Sequence, residues 1–482
     1  MKKLPFIGRH RYLEKLRQML NKKSATLAVV KGRRRIGKSR LIQEFSKDYQ
    51  FYEFVGLSPD EGITEQDQRD NFARLLEKYF QLPPLRTTDW SDLLTVLAEN
   101  TANGQVNILF DEISWMAMDS PTFLPKLKNA WDTEFKNNHQ LTLILCGSVS
   151  VWIEKNILSS TGYFGRIPVR ISLDELPLPD CNELLHAQNF VGGTYDKFQL
   201  LAVTGGIPYY LEQLQPGFTA EQNIRQLCFY EDALFVNEFD LIFHDVFNSR
   251  SDIYKKIVML LADGSMEYND VCDKLQYSRS GKLYDYLNDL IVARFISRDY
   301  TWSIKSGKVA RLSKYRLSDN YLRFYLKYIA PKRELIMQGL YEDVDYMHLP
   351  GWQTTMGLQF ENLVLKNKKS LLSLLGINPS HVVASNPFFQ RKTTRQKGCQ
   401  IDLLIQTRYQ NLFVCEIKFS KNQLGMDIIN EVDEKIKRLS LPRGFSCFPV
   451  LIHVNGVSDA VLDEGYFTKI IDFGELLVSS EK

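Results

Sequence analysis

The segment that most constrains the fold is Gly-Arg-Arg-Arg-Ile-Gly-Lys-Ser at residues 32–39. It fits the spacing G-x-x-x-x-G-K-[ST] and lies between an apolar run at 25–30 and a stretch of helical periodicity at 39–45. A strand, a glycine-bounded loop and a helix in this order are typical of a phosphate-binding loop, whose backbone N–H groups surround the phosphates. A chance glycine-rich turn is the alternative, but it leaves the flanking strand and helix unexplained.

The side chains of this loop suit nucleotide binding. Lys38 can neutralise the β- and γ-phosphates of ATP, and the hydroxyl of Ser39 can ligate Mg²⁺. We therefore expect ATP and Mg²⁺ as cofactors. The predicted nucleotide-binding set is Gly32, Arg33, Arg34, Arg35, Ile36, Gly37, Lys38, Ser39 and Arg40.

A pair of acidic residues supplies the carboxylates that such a loop requires. The largely apolar run at 106–110 ends at Asp111 and Glu112. We expect Asp111 to hold Mg²⁺ through water and Glu112 to polarise the water that attacks the γ-phosphate. An Asp-Glu pair can instead cap a helix, but that interpretation is less favoured directly after a buried strand.

The order of apolar segments predicts the fold class. Further runs at 51–55 and 141–146 are separated by helix-length stretches, which indicates an α/β fold with a parallel sheet. Beyond it we expect short helices, then three helices followed by two strands, which is the order of a winged helix. The predicted domains are 1–172 (P-loop ATPase domain), 173–246 (helical lid), 247–330 (winged helix), 331–352 (linker) and 353–478 (a second α/β domain).

Composition excludes several classes of protein. The 482 residues contain no run of about 18 apolar residues and no hydrophobic signal core, so we expect a cytoplasmic protein without membrane contact. Seven scattered cysteines argue against a disulfide framework. Residues 1–50 contain 15 Lys and Arg against 3 Asp and Glu, whereas residues 51–120 contain 4 against 13. This polarisation suits a polyanion-binding face, although a solvated helix surface explains part of it.

Further motifs complete a family resemblance. They are Phe6-Ile7-Gly8-Arg9, Cys146-Gly147-Ser148, Tyr163-Phe164-Gly165-Arg166 and Gly205-Gly206-Ile207-Pro208-Tyr209. With them, residues 4–330 resemble AAA-type P-loop ATPases of the archaeal ATPase group, which are relatives of the signalling ATPases with numerous domains. The resemblance implies that the segment containing Phe6, Gly8 and Arg9 packs the nucleotide base and that Ser148 is the polar sensor residue.

Arg166 has two interpretations of equal weight. By the resemblance it is a candidate arginine finger, and a finger that acts in trans would require a homo-oligomer. It could instead form a structural ion pair with a nearby acid.

A second group of charged residues lies near the C-terminus. Two apolar segments around a polar turn at 407–411 predict an antiparallel hairpin whose register puts Asp402 beside Glu416. Because side chains alternate along a strand, Glu416 and Lys418 share one face. Close carboxylates are costly unless a cation lies between them, and Mg²⁺ would fill that role. Lys418 could then orient or deprotonate a water beside a scissile phosphate.

This arrangement is similar to the PD-(D/E)XK nuclease superfamily over residues 353–425, which implies a restriction-endonuclease-like α/β fold. An upstream helix in that superfamily adds a Glu, and the segment Gly-Leu-Gln-Phe-Glu-Asn at 357–362 nominates Glu361. The sequence lacks a Pro before Asp402, and members of the superfamily can bind nucleic acid without cutting it. A Glu-x-Lys pair is also common as a surface ion pair.

The sequence thus predicts an ATP-hydrolysing AAA-type ATPase coupled to a Mg²⁺-dependent nuclease that acts on nucleic acid, with DNA favoured. Basic residues near Phe388 and Phe389 could hold the phosphate backbone, although a solvated loop is an equal alternative. These residues are Arg391, Lys392, Arg395 and Lys397. A second hypothesis is a nucleotide-dependent switch whose C-terminal domain binds without cutting. A third is transcriptional regulation through Arg279 and Lys282 of the winged helix.

Overall fold

The computed structural model describes residues 5–58, 62–118, 120–247, 251–279, 281–394 and 396–478. The chain divides into two compact units, Met1–Glu175 and Leu176–Lys482. One residue of the predicted basic loop, Arg395, lies outside the described ranges. Within those ranges, no helix is both long and apolar enough to cross a membrane.

The first unit is built on a five-stranded parallel sheet, which confirms the predicted α/β class. Its strand order is β2-β3-β4-β1-β5, and every adjacent pair is parallel. The strands are β1 (Thr26–Lys31), β2 (Gln50–Val55), β3 (Val106–Asp111), β4 (Thr142–Gly147) and β5 (Val169–Ser172). The helices are α1 (His10–Leu20), α2 (Lys38–Ser46), α3 (Glu65–Phe80), α4 (Trp90–Asn100), α5 (Ile113–Met116), α6 (Phe123–Thr133) and α7 (Ser150–Ile153).

Burial on both faces explains why these segments form strands. Every residue of β3 and β4 is buried, as expected for a parallel sheet covered by helices. Aromatic rings of Phe54 on β2, Phe72 on α3 and Phe110 on β3 pack edge to face or stacked in this core. The strand β5 has only four residues, and it alternates buried and exposed positions. It therefore lacks the apolar run that revealed the other strands.

The second unit contains most of the helices. They are α8 (Leu178–Ala187), α9 (Thr194–Thr204), α10 (Pro208–Leu211), α11 (Ala220–Cys228), α12 (Leu234–Phe247), α13 (Ser251–Leu261), α14 (Tyr268–Leu275), α15 (Gly281–Val292), α16 (Asn320–Phe324), α17 (Arg333–Met337), α18 (Trp352–Lys366), α19 (Lys368–Leu374), α20 (Asp427–Arg438) and α21 (Asp459–Asp463). The strands are β6 (Met266–Glu267), β7 (Ile296–Trp302), β8 (Val309–Leu317), β9 (Val382–Gln390), β10 (Cys399–Thr407), β11 (Asn411–Ile417), β12 (Ser446–His453) and β13 (Lys469–Asp472).

These strands form two sheets. The smaller sheet has the order β6-β8-β7 and is antiparallel. The larger sheet has the order β13-β12-β11-β10-β9. In it, the pairs β9–β10 and β10–β11 are antiparallel, whereas the pairs β11–β12 and β12–β13 are parallel. The larger sheet contains the hairpin that the sequence predicts around 407–411.

The end of the β7–β8 hairpin is buried against the larger sheet. Trp302 Nε1 donates a hydrogen bond to Gln406 Oε1 at 2.6 Å, and Gln406 Nε2 donates to the carbonyl of Ile304 at 2.9 Å. Trp302 and Ile304 share a hydrophobic core with Phe388 and Ile401. The burial of Trp302 and Ile304 and the two hydrogen bonds of the Gln406 side chain therefore stabilise the position of the hairpin.

Residues 331–352, for which the sequence predicts a linker, contain α17 and a fully buried Tyr346. The ring of Tyr346 packs against Phe229 and Trp352, with ring centroids 5.9 and 5.0 Å away. The aromatic contacts anchor the segment even though its sequence shows no continuous apolar face.

Candidate functional site

The phosphate-binding loop lies between the end of β1 and the start of α2. A Cβ atom on Gly32 would lie 2.8 Å from the carbonyl oxygen of Leu173, so a side chain there would require the backbone to shift. Gly37 has φ 87°, a left-handed conformation that favours glycine, directly before the first residue of α2. These two glycines let the loop turn tightly against Leu173 and lead directly into the N-terminus of α2, whose N–H groups can bind phosphate.

Two side chains of the predicted nucleotide-binding set are positioned by hydrogen bonds. Lys38 is buried, and its Nζ donates to the carbonyl of Arg33 at 3.2 Å. Ser39 Oγ donates to Asp111 Oδ2 at 2.6 Å, while Asp111 Oδ1 accepts the N–H of Glu112 at 3.0 Å. The hydroxyl and carboxylate that Mg²⁺ would require therefore converge from α2 and β3, so the residues present fit such an ion.

Glu112 is held in a strained and enclosed position. Its φ of 49° is in the left-handed region, which is uncommon for a residue with a Cβ. Its Oε2 accepts hydrogen bonds from the N–H of Ser148 at 3.0 Å and from the Ser148 hydroxyl at 2.9 Å. Burial raises the pKa of Glu112, although Lys38 and the Ser148 N–H oppose that effect. The carboxylate is thus oriented and is more basic than an exposed one.

The residues predicted to pack the nucleotide base lie next to the loop. Arg9 Nη2 donates to the carbonyl of Ile36 at 3.2 Å, and Arg40 Nη2 donates to the carbonyl of Pro5 at 2.9 Å. The N-terminal segment is therefore tied to the loop from both sides. Of the remaining predicted residues, Gly8 and Arg33 are buried, and Phe6, Arg34 and Arg35 are partly buried.

Arg166 forms an ion pair in this structure. Its Nε lies 2.9 Å from Asp132 Oδ1 and its Nη2 lies 2.9 Å from Asp132 Oδ2, which is a two-point contact with a residue of α6. Lys128 also lies 2.9 Å from Asp132. The hydrogen bonds from Arg166 lower the pKa of Asp132 to about 2, with burial opposing and Lys128 assisting. Of the two interpretations, the geometry matches the ion pair.

The second group of predicted residues converges near the end of the β10–β11 hairpin that is away from its turn. Leu403 pairs with Cys415 and Leu404 with Val414, so the same register puts Asp402 opposite Glu416. The N–H of Ile417 donates to Asp402 Oδ2 at 3.0 Å. The hairpin therefore brings the two carboxylates together from neighbouring strands.

A β-bulge adjusts the position of Asp402. In the pairing of β9 with β10, Ile401 pairs with Phe388 but Leu404 pairs with Asn386, so two residues of β10 oppose one residue of β9. That single residue is Pro387. Because proline has no N–H to donate, the ladder is interrupted at this point, and a bulge commonly redirects a nearby side chain.

Two lysines neutralise the buried Glu416. Lys418 Nζ lies 3.1 Å from Glu416 Oε1 and 2.6 Å from Glu431. Lys435 of α20 lies 2.5 Å from Glu416 Oε2 and 3.7 Å from Asp402 Oδ1. The carboxylate of Glu416 is buried, so this pairing offsets much of its desolvation.

Glu361 of α18 responds to the charge of Asp402. Burial and then the nearby Asp402 raise the pKa of Glu361 to about 7, while Arg316 and Arg323 oppose the increase. Burial and then Glu416 raise the pKa of Asp402 to about 6. Three acidic side chains from α18, β10 and β11 therefore share one electrostatic environment.

Buried polar contacts fix the helix that carries Glu361. Gln359 Nε2 donates to the carbonyl of Asn320 at 2.6 Å, and Asn362 Nδ2 donates to Asn320 Oδ1 at 3.0 Å. The fully buried Arg323 donates to Gln359 Oε1 at 3.0 Å. Since each of these groups is paired, the network holds α18 in one rotational setting.

Lys435 is the site residue that sequence reasoning missed. It lies three residues after Val432 and seven after Ile428, both buried, so it belongs to the apolar stripe of α20. A lysine in a row of otherwise apolar positions on a helix is the sequence signal that could have identified Lys435. Across the described ranges, no group of three or more His, Cys, Asp or Glu residues lies close enough to hold a metal ion.

Comparison with known proteins identifies the class of the first site. Residues 6–214 match a family described as an ATPase domain predominantly from Archaea. The N-terminal part of the chain is therefore an archaeal-type ATPase domain, which supports binding and hydrolysis of ATP.

Individual proteins are similar over a longer range. The chain is 25% identical over 406 residues to an uncharacterized protein of Methanocaldococcus jannaschii, which covers 83% of this chain and 84% of that protein. A Walker-type ATPase of Pyrococcus abyssi is structurally similar, with a TM-score of 0.48 and 17% identity over 67% of this chain and 96% of that one. The ORC2 protein of Aeropyrum pernix in its ADPNP–ADP complexes gives a TM-score of 0.42 and 14% identity over 70% and 96%.

Proposed function

We propose that this chain is an ATPase whose second unit carries a Mg²⁺-dependent nuclease site that acts on DNA. The observation that carries the nuclease part is the convergence of Asp402, Glu416 and Lys418 at the ends of two adjacent strands. An acid on one strand and an acid-x-Lys on the next are suited to metal-assisted hydrolysis of a phosphodiester. Glu361 adds a third carboxyl group, whose pKa is raised by burial and then by Asp402.

In the first unit each side chain has its own task. Lys38 would contact the β- and γ-phosphates, Ser39 and Asp111 would hold Mg²⁺, and Glu112 would take a proton from the attacking water. Ser148 orients Glu112 through its two hydrogen bonds. When bound, the ion supplies positive charge against the phosphates. The tether between Arg9 and the loop keeps the base-packing segment in place.

In the second unit, Asp402, Glu416 and the carbonyl of Ile417 are the groups that would hold Mg²⁺. A bound ion would polarise the scissile phosphate. Burial alone lowers the pKa of Lys418, but Glu416 and Glu431 outweigh it and raise that pKa above its usual value. The ammonium thus stays charged, so we assign Lys418 to orienting water and stabilising the phosphate rather than to removing a proton.

The order of elements supports a nuclease-like domain over about 353–478. The helix α18 precedes three antiparallel strands, and α20 then leads to the parallel strand β12. With α19 between α18 and β9, the order is α-α-β-β-β-α-β, and the two carboxylates lie at the end of the β10–β11 hairpin that is away from its turn.

A winged-helix module supports contact with DNA. The order α13, β6, α14, α15, β7, β8 and the sheet order β6-β8-β7 fit that module. Because Trp302 and Ile304 are buried in the neighbouring core, the hairpin end is not available to a ligand. We therefore assign DNA contact to exposed side chains of α15, such as Lys282 and Asn288, rather than to the hairpin.

The basic loop supplies a second set of candidate phosphate contacts. Lys392 and Lys397 are exposed, whereas Arg391 pairs with Glu267 of β6. Exposed lysines near a metal site can hold a phosphate backbone and would make binding dependent on salt.

The test is cleavage of supercoiled plasmid and linear duplex DNA by the full chain with Mg²⁺ or Mn²⁺, with and without ATP. We expect the wild type to cut, and Glu416→Ala to stop cutting while it still hydrolyses ATP. Glu434→Ala is the matched control, because Glu434 is exposed on α20 and pairs with Arg438. Cleavage that survives both Glu416→Ala and Asp402→Ala would contradict the proposal.

A nucleotide-dependent switch is the second candidate function. It is favoured by the pairing of both Glu416 oxygens with lysines, which makes the site stable without a metal. In that case ATP would change the affinity for DNA or the oligomeric state, and no variant would cut. Lys38→Ala would abolish the nucleotide-dependent change, whereas Glu416→Ala would leave it intact.

A further inference from the structure

The second site already contains a cation between its two carboxylates. Lys435 Nζ is 2.5 Å from Glu416 Oε2 and 3.7 Å from Asp402 Oδ1. The other two oxygens have different partners. Asp402 Oδ2 accepts the N–H of Ile417, and Glu416 Oε1 faces Lys418. Lys435 therefore contacts the two oxygens that neither the Ile417 N–H nor Lys418 contacts, which are Asp402 Oδ1 and Glu416 Oε2.

A divalent ion shared by Asp402 and Glu416 would need an oxygen from each carboxylate at about 2.0–2.1 Å. Because Asp402 Oδ2 and Glu416 Oε1 already face the Ile417 N–H and Lys418, the oxygens left to such an ion are the ones that Lys435 contacts. An ammonium group and a metal ion cannot occupy the same position, and their charges repel each other at short range. Metal binding and the Lys435–Glu416 ion pair therefore exclude one another.

Helix packing directs Lys435 to this position. Ile428 and Val432 of α20 are buried, and Lys435 continues their stripe one turn later. The side chain of Lys435 is nevertheless 28% exposed. The stem is thus held by the helix, while the ammonium group has room to move to solvent or to a bound phosphate.

We propose that Lys435 is a displaceable counterion: it neutralises Asp402 and Glu416 without metal, a divalent cation moves it off Glu416, and the released ammonium then contacts the phosphate backbone of the nucleic acid. This inference rests on the proposed function of the same site. A bound phosphate gives the displaced ammonium a new partner, so metal and nucleic acid should strengthen each other's binding.

The test measures Mn²⁺ binding to the full chain by isothermal titration calorimetry, without nucleotide. Lys435→Met removes the charge and keeps the length of the side chain, and we expect it to bind Mn²⁺ at least tenfold more tightly than the wild type. Lys437→Met is the matched control, because Lys437 is exposed on the same helix and pairs with Asp433. It should bind like the wild type. Adding Glu416→Ala to Lys435→Met should abolish the gain.

A variant that keeps the charge distinguishes the proposed role from a purely structural effect. Lys435→Arg should keep the weak Mn²⁺ binding of the wild type, and thermal unfolding should show that each variant is folded.

A second experiment measures DNA binding by fluorescence anisotropy of a labelled duplex in the presence of Ca²⁺. Lys435→Met should bind the duplex about threefold or more weakly than the wild type.

The outcomes separate this inference from the proposed function. Equal Mn²⁺ affinity in the wild type and Lys435→Met, abolished in both by Glu416→Ala, overturns the counterion role and leaves the metal site intact. Absence of Mn²⁺ binding at Glu416 in every variant overturns the metal site itself, and the inference with it.

Discussion

The two charged sites of this chain are assembled in opposite ways. In the ATPase domain, one contiguous loop at 32–39 provides most of the predicted contacts, and two acids at the end of β3 complete the set. In the second unit, the charged side chains come one each from α18, β10, β11 and α20. The difference shows that a loop motif carries its own geometry, whereas the second site depends on strand register and on the packing of two helices.

The sites also differ in how they balance charge. Asp111 accepts hydrogen bonds from the Ser39 hydroxyl and the Glu112 N–H, which are both uncharged donors. Glu416 is paired with two lysines, and Asp402 has a pKa raised to about 6 by burial and by Glu416. Neutral donors thus pair with Asp111, whereas charged lysines pair with Glu416; under the proposals above, a metal would bind at Asp111 without displacing a cation and would displace Lys435 at Glu416.

The largest expected effect tests the first site. Glu112→Gln should lower the rate of ATP hydrolysis by about 10²–10⁴-fold, because it removes the base that activates water. Nucleotide binding should persist, since Lys38 and Ser39 are intact. A steady-state assay measures the rate of hydrolysis, and a fluorescent nucleotide measures binding. Glu99→Gln on the exposed face of α4 is the control. Equal losses of binding and turnover would refute this assignment.

The same carboxylate predicts a pH dependence. Burial raises the pKa of Glu112, and only the deprotonated form can accept a proton. The rate of hydrolysis should therefore rise with pH through a pKa above that of an exposed glutamate. Glu112→Gln should lose this rise.

An independent substitution tests whether the second site works separately. Lys418→Ala should lower DNA cleavage by about 10²–10³-fold, because it removes a charge next to the phosphate, while ATP hydrolysis stays unchanged. Lys421→Ala, a few residues on and exposed, is the control for general loss of positive charge. A parallel fall in ATP hydrolysis would show that the two sites are not separable.

The charge balance of the second site predicts how stability varies with pH. The pKa values of Asp402 and Glu361 rise from 3.8 to about 6 and from 4.5 to about 7. A carboxyl group whose pKa is raised by folding stabilises the folded state at pH values below its pKa in the unfolded state. This contribution is lost as the pH rises through its pKa in the folded state. The metal-free protein should thus lose stability between about pH 4 and pH 7 through these groups.

Glu361→Gln isolates this contribution. The difference in Tm between Glu361→Gln and the wild type should be about 2–4 °C more positive at pH 7.5 than at pH 4. The reason is that the substitution removes the cost of a buried charge, which the wild type bears only at the higher pH. Glu434→Gln on the exposed face of α20 should show no such difference. A Tm difference that is the same at both pH values would contradict the raised pKa.

The smallest expected effect concerns Arg166. Arg166→Ala and Asp132→Asn should each lower the free energy of unfolding by about 0.5–1 kcal/mol, because they break a partly exposed ion pair. ATP hydrolysis should stay within about twofold of the wild type, as expected for a structural pair rather than a catalytic contact. A loss of about 100-fold or more in Arg166→Ala alone, with Asp132→Asn unaffected, would restore the arginine-finger interpretation.

Sequence reasoning succeeded where an element has a strong local pattern. The buried runs of β1, β3 and β4 and the aromatic segment of β2 are visible as apolar segments with clear boundaries, and the hairpin of β10 and β11 is visible from its polar turn. It missed β5, whose alternating four residues have no such pattern. It also gave no sign that Tyr346 would be buried against Phe229, since that contact joins residues more than a hundred positions apart.

The sequence by itself determined the motif of the phosphate-binding loop and the parallel sheet around it, and it nominated Asp402, Glu416 and Lys418 for the second site but not Lys435. Only the tertiary structure decided that Pro387 opposes Asp402 in a bulge, that Lys435 lies between Asp402 and Glu416, and that Arg166 pairs with Asp132. The physical reason is the range of the interactions. Backbone turns and hydrophobic periodicity are set by near neighbours, whereas the charge balance of a buried site depends on which distant side chains share its low-dielectric surroundings.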